Sequence, residues 1–136
     1  MGPTYYDTFI EVAEDCSAPK AEVPLAKGDK KTRAVVEYEL IAKAPYRHTG
    51  EDIAFLAHAL YNDIPKARWA EERAKFFEKG QPCLRASALG KRYGWGTHHD
   101  AQGKVALVAI ESKDYRRLAA DPSLKHTRAM RTKRAG

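Results

Sequence analysis

Cys83 and Arg85 stand two residues apart, and shortly after them comes KRYGWGTHHD, residues 91–100, with a basic pair, two aromatics and two adjacent histidines. A thiol beside a cation ionises more readily, because the positive charge favours the thiolate. With a base to take its proton, such a thiol becomes a nucleophile. His98 is the candidate base if the connector carrying Cys83 lies alongside the strand carrying the histidine. The bland alternative is a small buried cysteine, the usual fate of the residue.

The same stretch also reads as a nucleic-acid surface. Alternate residues of a strand share a face, so Tyr93 and Trp95 would lie together, with the small Gly94 and Gly96 beside them. Exposed aromatics on a sheet stack bases, and Lys91, Arg92 and Lys104 are near enough in sequence to meet phosphates. KRYGWGTH half-matches the aromatic strand motif of RNA-recognition domains. It departs at Arg92, Gly96 and His98, where that motif has a glycine, an aliphatic and an aromatic. The order of elements does not alternate as that fold requires, so the fold is not inferred. Against stacking stands the plain reading that Tyr93 and Trp95 are core, with the glycines letting a helix pack close.

Other chemistries find less footing. His98 and His99 point to opposite faces of a regular strand and cannot share one ion. No CxxC, HxxxH or HExxH occurs, and His58 has no His or Cys three or four residues away, so no metal site is expected. Gly90, Gly94 and Gly96 lack phosphate-loop spacing and precede a strand rather than a helix, and no cofactor is implied. Glu37 and Glu39 point apart on a strand and align poorly on a helix, so they are not placed as an acid–base pair.

Charge is unevenly spread. Lys125, Arg128, Arg131, Lys133 and Arg134 occupy ten residues without an acid and account for five of the six net positive charges. Such a run grips phosphates or an acidic partner by counterion release, or is simply a solvated terminus. A weaker basic excess covers 79–104, while Asp7, Glu11, Glu14, Asp15 and Glu22 make the beginning acidic. Arg85, Lys91, Arg92 and Lys104, together with Arg128, Arg131, Lys133 and Arg134, are thus the candidate anion-binding set.

The elements that must position these groups fit one domain of 136 residues with 43% apolar and 31% charged residues, long enough to bury a core without staples. The longest apolar run, 105–110, is far short of the roughly 20 residues that span a membrane. No basic-then-apolar leader opens the chain, and Tyr6 and Pro3 argue against myristoylation at Gly2. With two distant cysteines, Cys16 and Cys83, this fits a reducing cytoplasm and free thiols.

The expected fold class is α+β. Residues 8–13 are β-prone, and 14–31, with Pro19, Pro24 and Gly28, form a long loop. Residues 32–43 alternate as a strand would and also carry one helical stripe, and Thr32 as an N-cap tips the reading to helix. Thr49 with Glu51 and Asp52 opens a second helix, and Pro65 starts a third that runs through Trp69 and Phe76 to Gly80. Residues 81–89 are a connector or short strand. A central hairpin follows, with strands at 93–99 and 104–111 and a turn at 100–103 from Asp100 to Gly103. Its second strand is apolar on both faces and is expected at the centre of the sheet. Ser112 caps a short helix to 120, the domain closes at 122, and 123–136 are a basic tail, either flexible or draped on the body.

KRYGWG…GKVAL, AMRTKR near the end, FIEVAEDC near the start, KGDKKT and KGQPCLRAS together resemble a family of small bacterial proteins of unknown function. The resemblance spans nearly the whole chain. It implies a single cytoplasmic domain and no reaction, ligand or cofactor. Where it leads one to expect Ser-Pro-Leu the chain has Ser87-Ala88-Leu89, and Thr132 replaces an expected serine. Three functions follow as expectations. The first is a non-enzymatic binding module for an anionic partner, nucleic acid foremost. The second is a small enzyme built on Cys83, Arg85 and His98. The third is an interaction adaptor, with the oligomeric state open.

Overall fold

The computed structural model describes residues 4–132. Four strands, β1 (Thr8–Glu11), β2 (Trp95–His99), β3 (Val105–Ala109) and β4 (Lys125–Arg128), form one mixed sheet in the order β3-β2-β1-β4. The β2–β3 and β1–β2 pairs are antiparallel, whereas β4 runs parallel to β1. Five helices surround it: α1 (Arg33–Ala42), α2 (Gly50–Tyr61), α3 (Trp69–Phe76), α4 (Ala88–Lys91) and α5 (Lys113–Ala119). The chain is an α+β domain, as its patterning implies.

Strand alternation sorts the core into two layers. Ile10 and Val105 meet Ile41 of α1, Ile53 of α2 and Leu89 of α4 on one face. Phe9 and Val108 meet Tyr115 and Leu118 of α5 on the other. Gly96 lets the second layer close. A Cβ there would sit 2.9 Å from the Tyr115 ring and 3.0 Å from that of Phe9, so only glycine admits the edge-to-face pair of Phe9 and Tyr115.

The ambiguous segment is α1. The Thr32 side chain accepts the Val35 N–H, and the buried stripe from Ala34 to Ile41 decides against a strand. Thr49 and Asp52 form a reciprocal capping box on α2. The 100–103 turn also forms as expected: Gly103 has φ +80°, and the Asp100 carboxylate accepts from the Gln102 and Lys104 amides.

Three expectations change, and for residues 81–89 the connector alternative holds. β3 is an edge strand, with β1 and β2 central. Its apolar character reflects helices on both faces, which says nothing about its free edge. That edge is partly closed where the Val105 N–H donates to His48 O and the Tyr46 N–H to Val105 O. The first hairpin strand starts at Trp95, not Tyr93, because Gly94 at φ +80° breaks the extended run. Residues 81–89 make no strand. They hold a 3-10 turn at Leu84–Ala86 and the start of α4, which Ser87 caps by accepting the Leu89 N–H. The third helix is shorter than expected: Pro65 precedes a 3-10 turn at Lys66–Arg68, and α3 ends at Phe76, capped by Phe77, rather than at Gly80.

The basic C-terminal run, in turn, enters the sheet. KHTR carries no apolar alternation, yet it pairs with β1 along its whole length, a charged edge strand of the kind that discourages further pairing.

Candidate functional site

The connector from Pro82 to Ala88 passes between α1 and the start of α2 and leaves a cavity of about 310 Å³. Its chemistry-bearing walls are Arg33 and Glu37 of α1, Ser87 and Cys83 of the connector, and the first turn of α2 at Gly50. Glu37 is buried because α1 needs its whole inner stripe against the sheet, and position 37 lies within that stripe. Burial pushes its carboxyl up towards the neutral acid, opposed by the Ser87 hydroxyl and the Arg33 charge. The Ser87 hydroxyl donates to Glu37 Oε1 at 2.9 Å.

Arg33, one turn before Glu37, holds its Nε 4.0 Å from Glu37 Oε2. That is an ion-pair distance and too long for a hydrogen bond. The Nε is buried and has no hydrogen-bond partner among the described residues. A buried donor without a partner is costly in a folded chain, and the side chain that carries it, 42% exposed as a whole, lines the cavity.

Cys83 meets Tyr5. The phenol oxygen and the sulfur lie 3.0 Å apart, across 78 residues of sequence. Burial, and after it the cysteine, push the Tyr5 hydroxyl up to about 12, while the nearby Arg85 works the other way. Tyr5 therefore keeps its proton at neutral pH. Arg85 itself is anchored to the end of the chain: its Nε donates to Arg128 O at 2.8 Å, and its carbonyl accepts from the Met130 N–H at 2.7 Å.

His98 does not reach this group. It shares its sheet face with Phe9 and hydrogen-bonds through Nδ1 to the Tyr46 hydroxyl at 2.8 Å, edge-on to that ring. Cys83 lies on the opposite face of the sheet, beside Tyr5 and the Leu84 layer. The expected thiol–histidine couple is not formed. His99 is the histidine on the thiol's side, fully buried, with Tyr5 standing edge-on to it at 5.5 Å. Its Nε2 shares a hydrogen bond with Thr97 Oγ1, its Nδ1 has no partner among the described residues, and burial followed by the His98 charge lowers it to about 3. Among the described residues no group of three His, Cys, Asp or Glu is placed to hold a metal ion.

The expected stacking pair is half-buried under the 14–31 loop. The Trp95 indole N–H donates to Glu22 O at 2.8 Å and its ring leans on Tyr38, while Tyr93 O accepts from the Glu22 N–H. The cations do not converge on one patch either. Lys91 and Arg92 precede β2, whereas Lys104 follows the turn at the far end of the hairpin. Arg128 stands beside Arg85, Arg131 pairs with Glu14 at 3.6 Å, and Lys133 and Arg134 lie outside the described residues.

Fold and site both bear on the comparison with known proteins, where the sequence model of a family of unknown function, DUF6157, matches residues 2–135. The chain belongs to that family. The match takes in every residue of the cavity, from Arg33 to Ala88, as well as Tyr5 and the C-terminal strand that anchors Arg85. No curated protein and no solved structure matches the chain. No helix among the described residues of this DUF6157 member is long and apolar enough to cross a membrane.

Sequence reasoning passed over Tyr5, Arg33 and Ser87, and set Glu37 aside as one of a misaligned pair of carboxylates. The i,i+4 spacing of Arg33 and Glu37 was a visible signal once 32–43 is taken as a helix, and so was an acid set between Val36 and Tyr38. Nothing in the sequence pointed to Tyr5, because its partner lies 78 residues away.

Proposed function

We propose that the chain is a binding module for a small anionic molecule, seated in the cavity between α1, α2 and the 82–88 connector. One observation carries this reading: the buried, unpartnered Arg33 Nε on the cavity wall. A carboxylate or phosphate oxygen would complete it with a charge-assisted hydrogen bond. Burial raises the Glu37 carboxyl, which weakens its repulsion of the same ligand. A cavity of about 310 Å³ suits a small molecule and not a strand of nucleic acid. The two free cysteines, Cys16 and Cys83, suit a reducing compartment such as the cytoplasm.

The nucleic-acid form of the binding reading loses its best support, because Trp95 is engaged by Glu22 and Tyr38 and the cations are dispersed. What remains for it is the charge at Arg85, Lys91, Arg92 and Arg128, which would bind through phosphates alone.

The test is a thermal-shift titration with acetate, succinate and inorganic phosphate, on the wild type and Arg33→Gln. At least one anion should raise the wild-type midpoint and leave the variant unmoved. Equal response in both proteins, or none in either, would sink the reading. Labelled DNA and RNA, titrated by fluorescence anisotropy at physiological salt, supply the other arm. Tight binding there would return nucleic acid to first place.

A further inference from the structure

We propose that the molecule seated in the cavity is a small 2-hydroxy or 2-amino carboxylate, with its carboxylate on Arg33 and the donor on its neighbouring carbon held by Glu37. The inference rests on the anion-binding reading for the carboxylate, and on Glu37 and Ser87 for the donor.

Glu37 is only 9% exposed and Ser87 only 7%, yet both line the cavity. The two carboxyl oxygens of Glu37 differ. Oε1 accepts the Ser87 hydroxyl at 2.9 Å, and the Ser87 oxygen in turn accepts the Leu89 N–H, which holds the hydroxyl proton towards Oε1. Oε2 takes no hydrogen bond among the described residues, and Arg33 Nε stands 4.0 Å from it. A buried carboxyl oxygen has lone pairs to satisfy, and leaving them without a donor is costly. The cavity therefore asks for a donor at Glu37 as well as an acceptor at Arg33.

The spacing narrows the ligand further. At 4.0 Å the two protein atoms are too far apart to bond directly. With each ligand bond about 2.9 Å long, that separation suits two ligand atoms on adjacent carbons. A carboxylate oxygen and the 2-hydroxyl or 2-ammonium of the same acid are so placed, about as far apart as a hydrogen bond is long. Hydroxyl and ammonium share the needed chemistry, a proton for Oε2. Such a proton also works against the burial that raises the Glu37 carboxyl. Ile53, Ala54 and Leu84 on the same walls offer apolar surface to the rest of the molecule.

The experiment is an amide chemical-shift titration of the full chain with propionate, L-lactate, L-alanine and 3-hydroxypropionate, acids of equal carbon count. Lactate or alanine should bind about tenfold tighter than propionate, the effect of one added hydrogen bond to a buried carboxyl. Whichever gains more identifies the donor as hydroxyl or ammonium. 3-Hydroxypropionate, whose donor is displaced by one carbon, should show no such gain. Glu37→Gln keeps an oxygen for Ser87 and puts an amide donor where Oε2 was. In that variant lactate and alanine should fall back to the affinity of propionate, while propionate binds no worse than to wild type.

Propionate binding that is lost in Arg33→Gln, with no gain for lactate or alanine in wild type, overturns the inference and leaves the anion reading standing. A gain that survives Glu37→Gln overturns it too, because the donor would then be held elsewhere. No binding by any of the four probes also overturns it, and the phosphate titration then decides the anion reading. The comparison of the four probes on wild type needs no variant.

Discussion

His98 and His99 are neighbours in sequence and strangers in space. One edge-packs on Tyr46 on the α5 side of the sheet, and the other is sealed beside Tyr5 and Thr97 on the opposite side. The pleat alone imposes this, since successive side chains of a strand leave by opposite faces. The consequence reaches the site: the histidine on the thiol's face is the one held neutral by burial.

His99 should make the fold acid-sensitive. Its folded-state value of about 3 lies below the ordinary value of 6.5. Between the two the unfolded chain binds a proton that the folded chain refuses, so stability falls as pH drops from 6.5 towards 3. The slope is about 1.4 kcal/mol per pH unit. Glu37 acts in the opposite sense, because burial raises its carboxyl and favours the folded state on acidification. Urea unfolding of wild type and His99→Asn from pH 7 to pH 4 separates the two. The variant should lose the downward slope, and an unchanged slope would remove His99 from the account.

Ser87→Ala strikes two partners at once. The hydroxyl donates to buried Glu37 and accepts the Leu89 N–H at the start of α4. Leaving a buried carboxyl and a helix cap unsatisfied should cost about 1–3 kcal/mol in chemical denaturation. Ser87→Thr, which keeps the hydroxyl, should recover most of that loss.

Gly96→Ala tests the α5 layer. The added methyl would meet the Tyr115 ring at 2.9 Å, Phe9 at 3.0 Å and the Ile10 carbonyl at 3.1 Å, with backbone on one side and a packed ring pair on the other. Overpacking of this kind should lower stability by about 1–3 kcal/mol. The same substitution at Gly80, where nothing lies within 4 Å of a Cβ, should be nearly neutral.

Local signals carried the helices and the turn, and failed where geometry is long-range. Thr32, Thr49 and Ser112 each cap the helix that their position announces, and Asp100 with Gly103 makes the turn. These features depend on residues within four positions of one another. β3 was expected at the centre because an apolar run reports burial of two faces and cannot report the state of an edge. β4 was invisible for the complementary reason: an exposed edge strand such as KHTR needs no apolar pattern. The site followed the same division. Cys83 and Arg85 stood out by type, whereas Tyr5 and Arg33 are assembled by tertiary contact.

Trp95 and the 14–31 loop should prove to be one unit. The loop lies over the start of β2 through two backbone groups of Glu22: its N–H donates to Tyr93 O and its carbonyl accepts from the Trp95 indole. The Ala21 N–H adds a bond to the Glu111 carboxylate. Trp95→Phe removes the indole donor and keeps most of the ring. Limited proteolysis should then cleave within 14–31 several-fold faster than in wild type, at little change in global stability, because cleavage follows local opening. Unaltered cleavage would mean that the remaining two bonds hold the loop alone.

Removal of residues 123–136 separates a tail from a strand. A solvated basic tail could be deleted with loss of anion binding and no loss of fold. Here the deletion strips β1 of its parallel partner along Thr8–Glu11 and frees Arg85 from Arg128 and Met130. It also uncovers Gly90, on which Ala129 sits so closely that a Cβ there would lie 2.9 Å from it. β1 would become an unpaired edge with Phe9 and Ile10, both buried in the intact chain, at its rim. The truncated chain should therefore melt well below the full chain and aggregate on heating. A shorter deletion of 133–136, beyond the strand, should leave the midpoint unchanged. Equal melting of all three chains would show that β4 adds nothing to the fold and restore the basic run to the role of a tail.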